Sequence, residues 1–489
     1  MMNVYEKLAH PVALSIFVVT LFLPIIVGFF TLRRMRSDSD FFVGGRAMNR
    51  LVVALSAVSS GRSSWLVLGV SGMAYTMGAG AVWAIVGYTI VEFFQFIYLG
   101  RRLRAETQAL GSITLLDYFE SRFNDSKHLL RITGAVIIGI FITAYVSAQF
   151  YAGAKTLSSA LDIQLAVCLL ISALLILIYM VLGGFVAVAY NDVVRAVIML
   201  IGLVVLPIAG LANLGGIGVL RGLLTELNPA YVDPLSVGLG AAAGFVGIGL
   251  GSPGQPHILV RYMSIDDPKN LRFSAVIGTV WNIVLGVGAV AIGLLGRAMI
   301  PDAAGLPNGD SEMIYLALSS QYFGPALYGL LVGGVFAAIL STADSQLLVV
   351  ASTFSRDIYE KIIKARGTGK AEKTLNEADK LKFSRWVLVL SGVLALLLAY
   401  VAKDLVFWLV LFAWGGLGAS LGPAVIFTLF WKKTTRWGIF AGMLTGTVIT
   451  IVWKLWINQF TEFYHLIPAF LGSVVAIVAG SILTPRERS

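Results

Sequence analysis

The sequence predicts an all-α polytopic membrane protein with about 13 transmembrane helices, and three observations carry that prediction. Of the 489 residues, 58% are hydrophobic and only 13% charged, about half the roughly one-quarter charged expected of a soluble domain, which excludes a soluble enzyme. Apolar stretches of about 18 to 27 residues recur along the chain, each long enough to cross a hydrocarbon core of roughly 30 Å as a helix. The 36 Lys and Arg residues alternate between connections rather than spreading evenly.

The first stretch, about Pro11 to Leu32, is too long for a signal-peptide core and has no small-residue cleavage site, so it is expected to be retained. Five more follow at about Leu51 to Ala74, Ala81 to Leu99, Leu130 to Tyr151, Ile163 to Leu182 and Asp192 to Leu211. The next five lie at about Leu235 to Val260, Phe273 to Leu295, Phe323 to Val349, Trp386 to Tyr400 and Leu405 to Phe430. Two last stretches, about Trp437 to Ile457 and Leu466 to Leu483, complete the spans, numbered in chain order.

Twenty-eight of the basic residues fall in alternate connections, among them Arg33 to Arg50, Arg101 to Arg131, Arg261 to Arg272 and Arg356 to Arg385, and six fall opposite. The positive-inside rule then puts the amino terminus outside and the carboxyl terminus in the cytoplasm. The net charge of +10 follows from this orientation, without a nucleic-acid partner. Residues 1–489 read as a single domain. The loop from Pro301 to Gln321 contains a run, Met313 to Tyr322, that is either a lid over an outer vestibule or an ordinary surface loop.

Two spans are interrupted. The second holds Ser59-Ser60-Gly61-Arg62-Ser63-Ser64, and the seventh holds Gly247-Ile248-Gly249-Leu250-Gly251-Ser252-Pro253-Gly254-Gln255-Pro256, a stretch poor at staying helical. Broken helices five spans apart point to an inverted-repeat transporter with its site at the membrane midplane. The expected units are one extra helix (11–32), two five-helix repeats (51–211 and 235–430) and two final helices (437–483). Unwound backbone offers carbonyls to a cation and amides to an anion.

Arg62 sits mid-span, where an unpaired guanidinium costs at least ~2.5 to 3.5 kcal/mol. Glu92, Asp192 and Asp344 are candidate counter-charges, and Asp192 and Arg195 are three apart on one helical face. Ser341, Thr342, Asp344 and Ser345 put four oxygen-bearing side chains within five residues of the ninth span, a set suited to a hard cation.

With FFVGGRAMN, VALSAVSSGRSSWL, RRLRAETQALGSITLLDYFESRF, GQPHILVRYM and AAILSTADSQLLV in this order, the chain resembles the sodium/solute symporter family, and within it most closely the bacterial sodium/proline symporters. The resemblance implies a LeuT-type fold, alternating access and a place in a bacterial-type inner membrane. It also implies a sodium site at Ser59, Arg62, Ala338, Ser341 and Thr342, and a second cation or proton position at Asp192, Ser341 and Ser345, with Asp344 beside it. Proline symporters carry an aspartate where this chain has Gly61, and Arg62 follows it. Arg62 is therefore expected to replace sodium by projecting its charge into the ion site, with Asp344, Glu92 or Arg195 in the surrounding network. Sodium is retained if Arg62 turns away toward Glu92.

For the solute, the resemblance implies Ser63, Trp65, Tyr145 and Pro256, with Ser64, Gln149 and Gln255 adding polar reach. Ile248 and Ser252 stand where the family packs aromatic rings, leaving a roomier and more polar pocket. The expected activity is secondary transport of a small polar solute, an amino acid or related carboxylate, coupled to sodium or protons or to neither. A solute sensor of the same fold is the rival reading. No nucleotide loop, metal-ligand cluster or catalytic triad is present, so no cofactor and no covalent chemistry are expected, and no obligatory protein partner is evident.

Overall fold

The computed structural model describes residues 4–32, 42–180, 185–364, 377–401, 405–461 and 463–484. Parts of two basic connections, residues 33–41 and 365–376, and the basic tail at 485–489 lie outside the described residues. Among the described residues the fold is all-helical, and eight helical segments are long and apolar enough to cross a membrane. Pro11–Leu23, Leu165–Leu177 and Trp386–Val401 are shorter apolar helices.

Arg50–Ala109, one of the eight segments, has 60 residues. A straight helix of that length would reach roughly 90 Å, but the chain turns back at Gly78–Ala81, where Gly78 takes φ +72°. The second and third spans therefore lie side by side. The seventh span is not among the eight because it is interrupted: helix Gly238–Val246 passes into a tight 3-10 stretch, Gly247–Gly254, before helix Pro256–Ser264.

Helices Leu129–Leu161, Phe185–Leu214, Leu271–Met299, Pro325–Ser352 and Val406–Phe430 pack around these two breaks. Contact is close enough to require glycine. A methyl group on Gly87 would lie 2.1 Å from the Val246 carbonyl oxygen, and one on Gly249 would lie 2.3 Å from that of Gly87. The third span is thereby pressed against the unwound part of the seventh.

Helix Ile314–Tyr322 is not a surface loop, since Ile314 to Ser320 are all buried. Just before it, the buried Glu312 accepts from Lys155 Nζ at 2.5 Å and from the Val406 and Phe407 amides at 3.0 and 2.9 Å. A carboxylate from the loop thus caps the amino terminus of Val406–Phe430, where free N–H groups and the helix dipole favour negative charge.

At the opposite, basic end, helix Leu115–Phe123 opens with a capping box made by Thr114 and Asp117. Asp117 and Glu120 bind Arg131 at 2.8 and 2.5 Å, and Arg131 also holds Asp357. Burial works against ionising Asp117, yet Arg356 and Arg131 outweigh it and hold the carboxyl below its usual value. This clamp ties the connection after the third span to the ends of the fourth and ninth.

The glycine contact makes a prediction. Gly87→Ala forces a methyl group against backbone, and overpacking of this kind costs about 1 to 3 kcal/mol. Thermal melting of purified Gly87→Ala should fall by several degrees, whereas Gly222→Ala, which meets nothing within 4 Å, should melt as the parent does. Equal melting of the two variants would contradict the packing account.

Candidate solute and ion site

The second span enters as helix Arg50–Ser64, with Asn49 Oδ1 capping the Leu51 and Val52 amides at 3.0 Å each. Its run of Ser and Gly gives weak helix support, and Ser63 adopts φ 33°, a left-handed conformation rare for a residue with a side chain. Ser63 Oγ accepts from the Trp65 amide at 3.1 Å, so a side chain takes up backbone hydrogen bonding at the break.

In the seventh span, a side chain of the eleventh span and one of its own satisfy freed carbonyls. Trp414 Nε1 donates to the Ile248 carbonyl at 2.8 Å, and Gln255 Nε2 donates to those of Gly251 and Trp414 at 3.0 Å each. A methyl group on Gly251 would meet the Trp414 ring at 2.0 Å, which explains why glycine is needed there. Pro256 then starts helix Pro256–Ser264 at a position where its missing N–H does no harm.

Oxygen atoms of Ser59, Ala338, Ser341 and Thr342 lie at the second-span break. Ser341 Oγ donates toward the Ser59 and Ala338 carbonyls at 3.1 and 2.9 Å, and Thr342 Oγ1 donates to the Ser60 carbonyl at 2.9 Å. The Arg62 carbonyl closes the last turn by accepting from the Trp65 amide. Its side chain goes elsewhere. Nη2 binds Glu92 Oε2, Nε donates to Asn282 Oδ1 at 2.8 Å, Nη1 donates to the Gly61 carbonyl at 3.3 Å, and the guanidinium lies 3.6 Å over the Tyr88 ring.

This geometry corrects the expectation that Arg62 projects into the ion site. The physical reason is the third span, which offers a carboxylate and an aromatic face. Asn282 of the eighth span bonds both members of the pair. Asp344 is not the counter-charge of Arg62; it binds Arg195 at 2.6 Å.

A second polar cluster lies nearby. Asp192 Oδ2 accepts from Ser56 Oγ at 2.7 Å and from Ser60 Oγ at 3.0 Å, and meets Arg261 Nη2 at 3.1 Å. Asp192 Oδ1 lies 3.7 Å from Arg195 Nη1, so Asp192, Arg195 and Asp344 form one network. Ser345 Oγ is 3.1 Å from Ser60 Oγ and accepts from Arg261 Nη2. Arg261, grouped above with the basic connection, is instead only 1% exposed, with its side chain turned into this cluster.

Of the expected solute residues, Tyr145 OH lies 3.4 Å from Ser63 Oγ, and Gln149 Oε1 accepts from the Ser64 amide and hydroxyl at 3.2 and 3.0 Å. Trp65 packs edge-on against Tyr88 and stacks on Phe407 at 5.8 Å. Ser252 Oγ donates to Gln95 Oε1 at 2.5 Å, while Ile248 is buried. Among the described residues, Trp65 Nε1, Gln149 Nε2 and Gln255 Oε1 have no hydrogen-bond partner. Such groups are costly to leave unmade, and a bound polar molecule would satisfy them.

Sequence reasoning had not singled out Gln95, Asn282, His257, Arg261 or Phe407. His257 and Arg261 sit inside the quoted motif GQPHILVRYM, adjacent to the break, which was the available signal. A small cavity lies on the basic side of the breaks, lined by Pro256, Arg261, Ser345, Thr353 and Asp357 among others.

Comparison with known proteins follows the same lines. The model of the sodium:solute symporter family matches residues 41–446. Proteins named sodium/proline symporter from Staphylococcus aureus strains JH9 and N315 are each 35% identical over 476 residues, covering 94% of this chain and 91% of theirs. Among solved structures, a Na+-coupled sialic acid symporter in a substrate-bound outward-open state superposes with a TM-score of 0.80 at 18% identity, over 98% of this chain and 99% of that one. A transporter of the nucleobase-cation-symport-1 family in a closed conformation gives a TM-score of 0.58 at 13% identity, over 93% and 97%. The fold is accordingly that of the LeuT-type transporters, and the chain belongs to the sodium:solute symporter family.

Proposed function

We propose that this chain is a sodium-coupled symporter of a small polar organic solute, an amino acid or related carboxylate with proline among the candidates. It works by alternating access in a bacterial plasma membrane and does no covalent chemistry. Thirteen crossings, with the amino terminus outside, make two five-helix repeats flanked by one leading and two trailing helices. The solute lies between Trp65, Tyr145, Gln149 and Gln255, and sodium lies among Ser59, Arg62, Ala338, Ser341 and Thr342.

The observation that carries sodium coupling is the position of the Arg62 guanidinium. A free charge there would repel sodium by about 4 kcal/mol at 4 Å in a medium of effective dielectric 20. Paired with Glu92 at hydrogen-bond contact, it presents a neutral dipole instead. The ion site then keeps the electrostatics of a chain with no charge at position 62. The named sodium coupling of the 35% identical relatives supports the same reading.

Solute release toward the basic side is supported by the cavity beside Pro256 and Ser345, while the contacts of Glu312 and Phe407 close the other side over Trp65. Trp65 and its stacked partner Phe407 thus form a cover between solute and loop. Unpartnered donors on Trp65 and Gln149 suit a carboxylate, and the Gln255 acceptor suits an ammonium or imino group.

Binding of a labelled amino-acid panel, proline included, to purified protein tests this directly. Sodium in place of choline should tighten binding of the best panel member at least about tenfold, or 1.4 kcal/mol; identical affinity in the two salts would refute sodium coupling. The pairing makes a further prediction of opposite sign for single and double variants. Glu92→Gln should raise the sodium concentration for half-maximal binding more than about tenfold by releasing the charge of Arg62. Glu92→Gln combined with Arg62→Met should restore it to within about threefold of the parent; additive losses would show that the pair has no bearing on the ion.

A further inference from the structure

We infer that Arg261 is a resident cation: its guanidinium fills a cation-shaped oxygen cage beside the ion site, so that Asp192 holds no exchangeable ion. Four oxygens contact this group and a fifth links two of them. Asp192 Oδ2 lies 3.1 Å from Nη2, Ser345 Oγ accepts from the same nitrogen, Ser56 Oγ accepts from Nε at 3.1 Å, and the His257 carbonyl accepts from Nη1. Ser60 Oγ completes the ring, 3.0 Å from Asp192 Oδ2 and 3.1 Å from Ser345 Oγ.

One carboxylate, three hydroxyls and one carbonyl make the ligand set of a hard cation. Here a planar cation with five N–H donors occupies it, each nitrogen matched to an acceptor. The remaining face of the guanidinium lies 5.4 Å from the Phe185 ring centre. No second positive charge fits the same oxygens without displacing the first.

Location separates a resident cation from a structural ion pair buried anywhere else. Arg261, Ser345, Phe185 and Pro256 all line the cavity on the basic side, so an ion entering from that side would reach the cage if the side chain were absent. The side chain belongs to helix Pro256–Ser264, which begins at the seventh-span break. Its charge is tethered to an element at the centre of the fold and cannot leave with the solute.

The inference rests on the proposed sodium coupling only for the separate position at Ser341 and Thr342. Equilibrium binding of ²²Na⁺ to the purified full-length chain at pH 8.5, counted per protein, distinguishes the two. The parent should bind one ion, Arg261→Ala should bind one more, and Arg261→Ala with Asp192→Asn should lose that addition. A parent that binds none while Arg261→Ala gains one dependent on Asp192 would sink sodium coupling and leave this inference standing. An unchanged count in Arg261→Ala overturns it. Should that variant fail to fold, the parent alone decides: one ion or none agrees with a filled cage, and two ions per protein contradict it.

Discussion

Neutralisation of charge buried between the spans is the constraint on which the rest of the structure depends. Three guanidiniums, of Arg62, Arg195 and Arg261, meet three carboxylates, of Glu92, Asp344 and Asp192, and all six groups are no more than 2% exposed. Leaving one member of such a pair unmatched costs roughly 3 to 5 kcal/mol. The pairs join the second span to the third, the sixth to the ninth and the sixth to the seventh. Both broken spans are therefore held in place by ion pairs where regular helix hydrogen bonds are missing.

Those pairs also define what the breaks are free to do. With the side-chain charges balanced, the second-span carbonyls and the hydroxyls of Ser341 and Thr342 form a neutral oxygen cluster, and among the described residues Trp65 Nε1, Gln149 Nε2 and Gln255 Oε1 keep unpaired polar atoms beside it. Glycine lets the third and eleventh spans approach the unwound seventh closely enough for their side chains and carbonyls to take part. Glu312 connects this centre to the loop above through the amide of Phe407, whose ring stacks on Trp65.

Much of this was legible in the sequence. Apolar length marked a multi-pass membrane chain, and Ser, Gly and Pro runs in otherwise apolar spans marked the two breaks, because helix propensity and missing N–H groups act locally. The hydroxyls at 341, 342 and 345 announced a polar patch for the same reason. The direction of the Arg62 side chain was not legible, since it depends on a carboxylate 30 positions away and on Asn282 in another span. Arg261 was misplaced by counting charge near a span end: position along the chain said basic connection, while the fold turns the side chain inward to Asp192. Rotamer choice at buried charges is a tertiary property, and spacing alone does not encode it.

Transport against an imposed ion gradient tests the central claim most directly. Proteoliposomes loaded with the purified chain would be given the best-binding amino acid with an inward sodium gradient, equal pH on both sides and the membrane potential clamped at zero. Sodium coupling predicts transient accumulation of solute above its external concentration, with none when an inward proton gradient replaces sodium. Equilibration without accumulation under the sodium gradient, or accumulation under the proton gradient alone, would contradict the account.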